Sequence, residues 1–396
     1  MTSSPLPPWE ERLFLPGPTP IPWPIAHAMA RPMTELRGPT LAALAERVEV
    51  GVARLFGTGK AVGVTATGTA TLETLVQNLF APGEPVVAIV AGAFGGRFAQ
   101  AAESHGLSVR RMDTPYGQVP SADQLASLVA ETNAAGVLLV HNETSTGIRM
   151  PVAELASAAR HARPDVLVLA DSISGVPSMP LDMDVIGVDA ATSASQKGFM
   201  APPGLGLIAL GPRALAAIKS ERPGRMYFDL NALVNRHFNS TAAISHWYAM
   251  EESLRLLEAE GDARRYARHT LMSGMVRTAG EAIGMPPMAP DAYASPTVTP
   301  LAVPAPFAAA QLLRQARRYG AALAGAMGPW AERVIRVGHV GAVTPLDMTT
   351  AVAVLEAALL DLYEEAGSKA PFAPGSGVGA AVSAMRAAAH APAVAR

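Results

Sequence analysis

Four short apolar runs constrain this chain most: 86–90 (VVAIV), 137–140 (VLLV), 166–170 (VLVLA) and 205–210 (LGLIAL). Around them lie stretches with helical spacing at 71–80, 98–104, 121–132 and 152–162. A strand that is apolar on both faces must be covered on both, and crossover helices supply that cover. The alternation therefore predicts βαβ units in an α/β chain with a mainly parallel sheet. In such sheets ligands bind beyond the carboxyl ends of the strands. Those ends are the places to search for chemistry.

The flanks of this pattern differ from it. Residues 1–24 end in GPTPIPWP and carry too many prolines for a helix, so they read as an extended arm. A helix is expected over 40–56, where Leu41, Leu44, Val48, Val52 and Leu55 recur at three- and four-residue steps. Beyond about residue 245 a long helix is expected at 244–261, then a smaller α+β region with a strand at 334–337. A last helix is expected at 378–389 in the Gly/Ala-rich tail. The expected division is an arm at 1–24, a large domain at 25–265 and a small C-terminal domain at 266–396.

Composition removes several function classes. The 396 residues carry 31 Lys+Arg against 33 Asp+Glu, which leaves no basic excess for nucleic acid. There is no cysteine, so a thiol nucleophile, a disulfide framework and a zinc–thiolate site are excluded. The nine histidines show no HExxH, and no metal is expected. The N-terminus lacks a basic segment followed by an apolar one, so no signal peptide is read. No apolar run approaches the roughly 18 residues of a membrane span. A cytoplasmic enzyme acting on small molecules, with no membrane partner, is the expectation.

Six segments carry candidate chemistry. The run VLVLA leads into Asp171, which places a lone carboxylate at the sheet rim; Asp also suits a helix cap or turn. Segment 193–204 (SASQKGFMAPPG) sets Lys197 among small and apolar residues. A lysine in such surroundings has a lowered pKa and becomes an amine nucleophile, whereas a surface lysine would snorkel. Segment 65–71 (TATGTAT) opens a helix with small residues, leaving N–H groups for a phosphate, or makes a plain helix start. Segment 91–97 (AGAFGGR) offers Phe94 as a stacking face between glycines, or packs it in the core. Segment 141–147 (HNETSTG) is a polar cluster at a strand end, either a site lip or a hydrogen-bonded turn. Arg336 interrupts an apolar strand and needs an anion, either a substrate carboxylate or a structural acid. Together these are the parts that hold pyridoxal 5′-phosphate (PLP).

The set resembles the fold-type I, class V aminotransferases, with the alanine–glyoxylate and serine–glyoxylate enzymes nearest. The resemblance runs from LPGPT (15–19) to about 341, through HNETSTG (141–147), ADSISG (170–175), SQKGFMAPPGLG (195–206) and IRVGHVG (335–341). It implies a PLP transferase with a large mainly parallel-sheet domain and a smaller α+β domain. It implies that Lys197 forms the internal aldimine and shuttles the proton, and that Asp171 pairs with the pyridinium nitrogen. Phe94 would stack on the ring, Thr144 would stand beside it, and Gly68, Thr69 and Gln196 would cradle the phosphate. Arg336 would bind the substrate α-carboxylate, with Gly17 of the arm near the substrate. The family's site lies at a homodimer interface, where Thr241 would reach the phosphate from the second subunit. Phe238 stands where relatives often have Tyr, so one hydrogen bond to the phosphate is missing. The implied reaction is transamination between alanine or serine and glyoxylate or pyruvate. A class V lyase or retro-aldol reaction, or pyridoxamine–pyruvate transamination, is the alternative. Only one arginine is read as suited to a carboxylate, which disfavours a second acidic group on the substrate.

Overall fold

Strand–helix alternation dominates the first half of the chain in a computed structural model that describes residues 11–218 and 225–390. The strands are β1 (Arg12–Phe14), β2 (Lys60–Val64), β3 (Pro85–Val90), β4 (Ser108–Asp113), β5 (Gly136–Val140), β6 (Asn142–Glu143), β7 (Ile148–Arg149), β8 (Leu167–Asp171), β9 (Ala190–Ala194), β10 (Gly206–Leu210), β11 (Val298–Ala302), β12 (Ala321–Gly325) and β13 (Val334–Gly338). A seven-stranded sheet runs β2-β10-β9-β8-β5-β3-β4. The pairs from β9 to β4 are parallel, and β10 is antiparallel to both β9 and β2. The expected mainly parallel sheet is present. One expected crossover is not, because LGLIAL returns against β9 without a helix between them.

The central strands form because every residue of β5 and β10 is buried, so each must find cover on two faces. Helices Gly68–Leu79 and Val152–Ala162 supply it. The first buries Leu72, Leu75, Val76 and Leu79, and the second Val152, Leu155, Ala156 and Ala159. Each set is spaced three and four apart, which makes one apolar stripe. Helix Pro39–Phe56 spans the region expected at 40–56, and Gly57 closes it in the left-handed conformation (φ +62°).

A second sheet, β1-β12-β13-β11, is built from the C-terminal region and from the arm. The arm is therefore anchored: β1 pairs in parallel with β12. Residues 1–10 of the expected arm lie outside the described residues. The extended stretch ends at helix Trp23–Ala28, whose second residue is proline, a position that tolerates it. Helix Asp262–Ala282 follows helix Ile244–Glu260 after a turn at Gly261. The last helix is Ser376–His390. Among the described residues no helix is long and apolar enough to cross a membrane.

Sheet topology brings the candidate residues together. Strands β2, β3, β5, β8 and β9 all end at one rim, and β10 alone runs the other way. Asp171 ends β8, in register with Val140 of β5 and Thr192 of β9. Lys197 follows three residues after the end of β9.

Candidate active site

Past that rim opens a cavity of about 140 Å³, continuous with solvent. It is lined by Gly68, Thr69, Phe94, Thr144, Asp171, Gln196 and Lys197, together with Thr67, Arg97, Asn142 and Ser174. Seven of the expected site residues thus meet in one space.

Lys197 sits in a loop pinned by its neighbours. The Ser195 hydroxyl donates to Pro202 O (2.6 Å) and accepts from Leu205 N–H (3.2 Å), closing the loop on itself. The Lys197 side chain keeps part of its surface toward the cavity, but its amine is enclosed. Nζ donates to the backbone O of Pro16 in the arm at 2.7 Å. Burial pulls the amine's pKa down from 10.5 to about 8; the Asp171 carboxylate opposes this, and the charges of Arg336 and Arg97 add to it.

Asp171 is buried, and its Oδ1 accepts from Ile173 N–H at 2.9 Å. Burial raises its pKa to about 7, opposed by the Ile173 N–H, reinforced by the Glu143 charge, and opposed by Lys197 and Arg97. Its other oxygen has no hydrogen-bond partner among the described residues. Beside it His141 bonds through Nδ1 to the Ser172 hydroxyl at 2.8 Å. Burial holds that imidazole near pKa 3, so it is neutral at pH 7.

Phe94 lies in the first turn of helix Ala93–Ser104, which begins earlier than the stretch expected at 98–104. Gly95 and Gly96 are poor helix formers, and the helix start is held from outside. Oε2 of the buried Glu143 accepts from Phe94 N–H (3.1 Å) and Gly95 N–H (2.9 Å). The Ser145 hydroxyl accepts from Ala93 N–H at 2.9 Å and donates to Glu143 Oε1 at 2.5 Å. Gly92 leaves room for this arrangement, since a Cβ there would stand 2.4 Å from Ser145 Oγ and 2.5 Å from Glu143 Cδ. Glu143 and Ser145 are therefore site residues that the sequence reading left inside an unresolved polar cluster. The segment is the hairpin β6–β7.

Arg97, one turn after Phe94, holds its guanidinium 5.0 Å from the centre of the Phe94 ring. It has no ion-pair partner among the described residues. The reading of a single carboxylate-binding arginine is therefore corrected: a second cation lines the cavity. Its signal was Phe94 and Arg97 at i and i+3, visible once this segment is helical.

Arg336 reaches the same region from β13. Its Nε donates to Gly325 O (2.9 Å) and its Nη1 to Thr144 O (3.1 Å). It has no carboxylate partner among the described residues, so the structural acid considered for it is absent there. Burial lowers its pKa, opposed by the Glu143 charge. Gly17 touches Lys197 directly, with left-handed φ of +115° and no space for a side chain. Thr241 lies apart from its own chain's cavity, in a separate small cleft that also includes Tyr227 and Phe238. Phe238 packs edge-on against Trp247 at 5.1 Å.

The residues present fit a flat, phosphorylated heteroaromatic aldehyde. Helix Gly68–Leu79 has no side-chain cap, so its first N–H groups are available to an anion. Gln196 Oε1 and Asn142 Oδ1 are buried without partners at the cavity wall. A carboxylate oxygen, an aromatic face and an amine of lowered pKa complete the set.

A family model described as "Aminotransferase class-V" matches residues 27–278. The chain is 32% identical over 381 residues to the L-aspartate–glyoxylate aminotransferase of Paracoccus denitrificans, covering 93% of this chain and 94% of that protein. It is 31% identical to the serine–glyoxylate aminotransferase of Methylorubrum extorquens, covering 96% and 97%. The crystal structure of a subgroup IV aspartate aminotransferase from Thermus thermophilus is similar at 32% identity with a TM-score of 0.83, covering 89% of this chain and 99% of that one.

Proposed function

The chain belongs to the class V aminotransferases, fold-type I enzymes that use pyridoxal 5′-phosphate, and from that premise we propose transfer of an amino group from alanine or serine to glyoxylate or pyruvate. The observation that carries the reading is one cavity shared by an amine of lowered pKa at Lys197 and a buried carboxylate at Asp171.

PLP, when bound, supplies the electron sink that makes the substrate Cα proton removable. In this reading Lys197 is the residue bonded to the cofactor aldehyde, and Asp171 holds the ring nitrogen with the oxygen that Ile173 leaves free. A cation there would favour the Asp171 carboxylate, which burial alone disfavours. Phe94 covers one ring face and Thr144 stands beside the ring. Gly68, Thr69 and Gln196 hold the phosphate. Arg336 grips the substrate carboxylate, with its guanidinium pre-oriented by two backbone carbonyls. Lys197 Nζ takes the Cα proton, and burial keeps a usable fraction of it unprotonated near neutral pH.

A second donor class, amino dicarboxylates, is favoured by Arg97, an unpaired cation at the cavity wall. Two of the similar proteins are named for aspartate. We also read a cytoplasmic homodimer with the site at the subunit interface and the division 1–24, 25–265 and 266–396. Two observations support the dimer. Trp23 and Met33 are exposed near the arm, and Thr241 lies outside its own chain's cavity, as a contact made across an interface would require.

The test is a donor screen with purified holoenzyme against glyoxylate and pyruvate. Glycine or alanine should form from an amino donor, with the matching oxo acid. Release of ammonia or carbon dioxide, or an aldehyde fragment from serine, would replace transamination by elimination, decarboxylation or retro-aldol cleavage.

A further inference from the structure

The arm does more than cover the cavity, because it grips Lys197 at both ends. Thr19 N–H donates to Gln196 O (3.2 Å), and the buried Thr19 hydroxyl donates to Lys197 O (3.3 Å). Three residues earlier, Pro16 O receives the Lys197 amine at 2.7 Å. Between them Gly17 passes so close that a Cβ would stand 2.5 Å from both Lys197 Nζ and Cδ. The arm cannot drift independently of the substrate side of the site. β1 is hydrogen-bonded to β12, which neighbours β13 and Arg336. At Gly338, two residues after Arg336, a Cβ would stand 2.0 Å from the backbone carbon of Leu15. The arm backbone therefore lies flush on the end of β13.

Transamination requires the lysine to leave the cofactor when the amino acid arrives and to return when the product leaves. A free amine enclosed as this one is needs a partner, since an unpaired buried donor costs free energy. We propose that the Pro16 carbonyl is the docking acceptor of the Lys197 amine whenever that amine is not bonded to the cofactor, and that residue 17 is glycine because a side chain would occupy the amine's place. A carbonyl suits the task. It accepts from the amine but cannot donate to it, so it leaves the nitrogen lone pair of the neutral form free to act as base or nucleophile. No bond is made or broken at Pro16; it holds the amine's position. The inference rests on Lys197 being the cofactor-bonding residue.

The experiment measures cofactor capture as well as turnover. Apoprotein is mixed with PLP across a pH series and quenched with borohydride, and the labelled peptide is quantified by mass spectrometry. The charged groups near the amine, Asp171, Arg336 and Arg97, stay the same in wild type and in Gly17→Ala. Displacing the amine from Pro16 O removes an interaction that favours the protonated form, so the midpoint of capture should fall. The expected fall is about one pH unit, the worth of one hydrogen bond to a charged donor. A midpoint that stays, or rises toward an ordinary lysine, overturns the proposal, because it leaves the arm as a cover only. Should Gly17→Ala not fold, a crystal structure of the wild-type protein with pyridoxamine 5′-phosphate decides. There the amine must be free, and its nitrogen should lie within hydrogen-bond distance of Pro16 O; an amine turned elsewhere overturns the docking role. Wild-type labelling at another lysine would instead defeat the assignment of Lys197.

Discussion

Replacing Glu143 with Gln should weaken the fold and the cofactor grip together. The Glu143 carboxylate is fully buried and accepts four hydrogen bonds: Phe94 and Gly95 N–H on Oε2, Ser145 N–H and hydroxyl on Oε1. Glutamine keeps one oxygen and turns an NH₂ toward the other pair of donors. Two donors then lose their acceptor, and the affected pair lies either at the helix start that carries Phe94 or at the turn that carries Thr144. Leaving a buried donor unpaired costs about 1–3 kcal/mol, and partial relaxation puts the pair at about 2–4 kcal/mol. Opposing this, burial raises the Glu143 pKa, and removing its charge relieves repulsion of Asp171. Asp171 should therefore titrate lower in the variant. The assays are urea unfolding of the apoprotein, fitted for midpoint and slope, and PLP titration followed by absorbance. An unchanged unfolding midpoint with unchanged PLP affinity would refute the claim that Glu143 holds the Phe94 helix in place.

Three further outcomes follow from the same geometry. Arg97→Met should leave turnover of serine or alanine within about twofold and reduce kcat/KM for aspartate by about 1–2 kcal/mol, roughly five- to thirtyfold, if Arg97 receives a second carboxylate; equal losses for all donors would contradict that. Arg336→Lys should raise KM for both amino and oxo acid, because a point cation cannot form the two parallel bonds of the guanidinium fork, with PLP affinity retained; unchanged KM for both removes it from substrate binding. The folded-state pKa of Asp171, about 7, lies above its ordinary 3.8, so the native apoprotein binds the proton more tightly than the unfolded chain does between those values. The contribution of Asp171 to apoprotein stability should therefore fall as pH rises from about 4 to about 7, against the opposite trend of the buried neutral histidines such as His141, and Asp171→Asn should remove that part of the dependence. Melting curves that run parallel in the two proteins would contradict the raised pKa.

Bulk apolar runs made much of this fold legible. VVAIV and VLLV each mark a strand, and helix 152–162 has the same bounds in sequence and structure. Strands without bulk were not legible. β9 is AATSA, fully buried, yet built of small side chains that give no apolar signal; it is wedged between β8 and β10 and pairs because both neighbours need it. β4, at the sheet edge, has only Val109 and Met112 as apolar residues, with Arg110 and Arg111 between them, and shows neither an apolar run nor a period-two pattern. Glycines at 95 and 96 argue against a helix, so the sequence predicts only residues 98–104 of helix Ala93–Ser104. Gly95 is there for contact: a Cβ would stand 2.5 Å from Ile89 O of β3. The Lys197 and Asp171 positions were legible because each sits at a strand end in an apolar or small-residue setting. Glu143, Arg97 and Pro16 were not. Their roles depend on partners 49, 3 and 181 residues away along the chain, or on a backbone atom that no residue type announces.

In the proposed site one amine, Lys197 Nζ, bonds the cofactor, and Asp171 completes its surroundings. Borohydride reduction of the PLP-loaded protein, followed by peptide mapping, tests it most directly. The modified residue should be Lys197, with one equivalent of label per chain, and Lys197→Ala should take up none at that peptide. Stoichiometric label on a different lysine, or full turnover by Lys197→Ala, would contradict it.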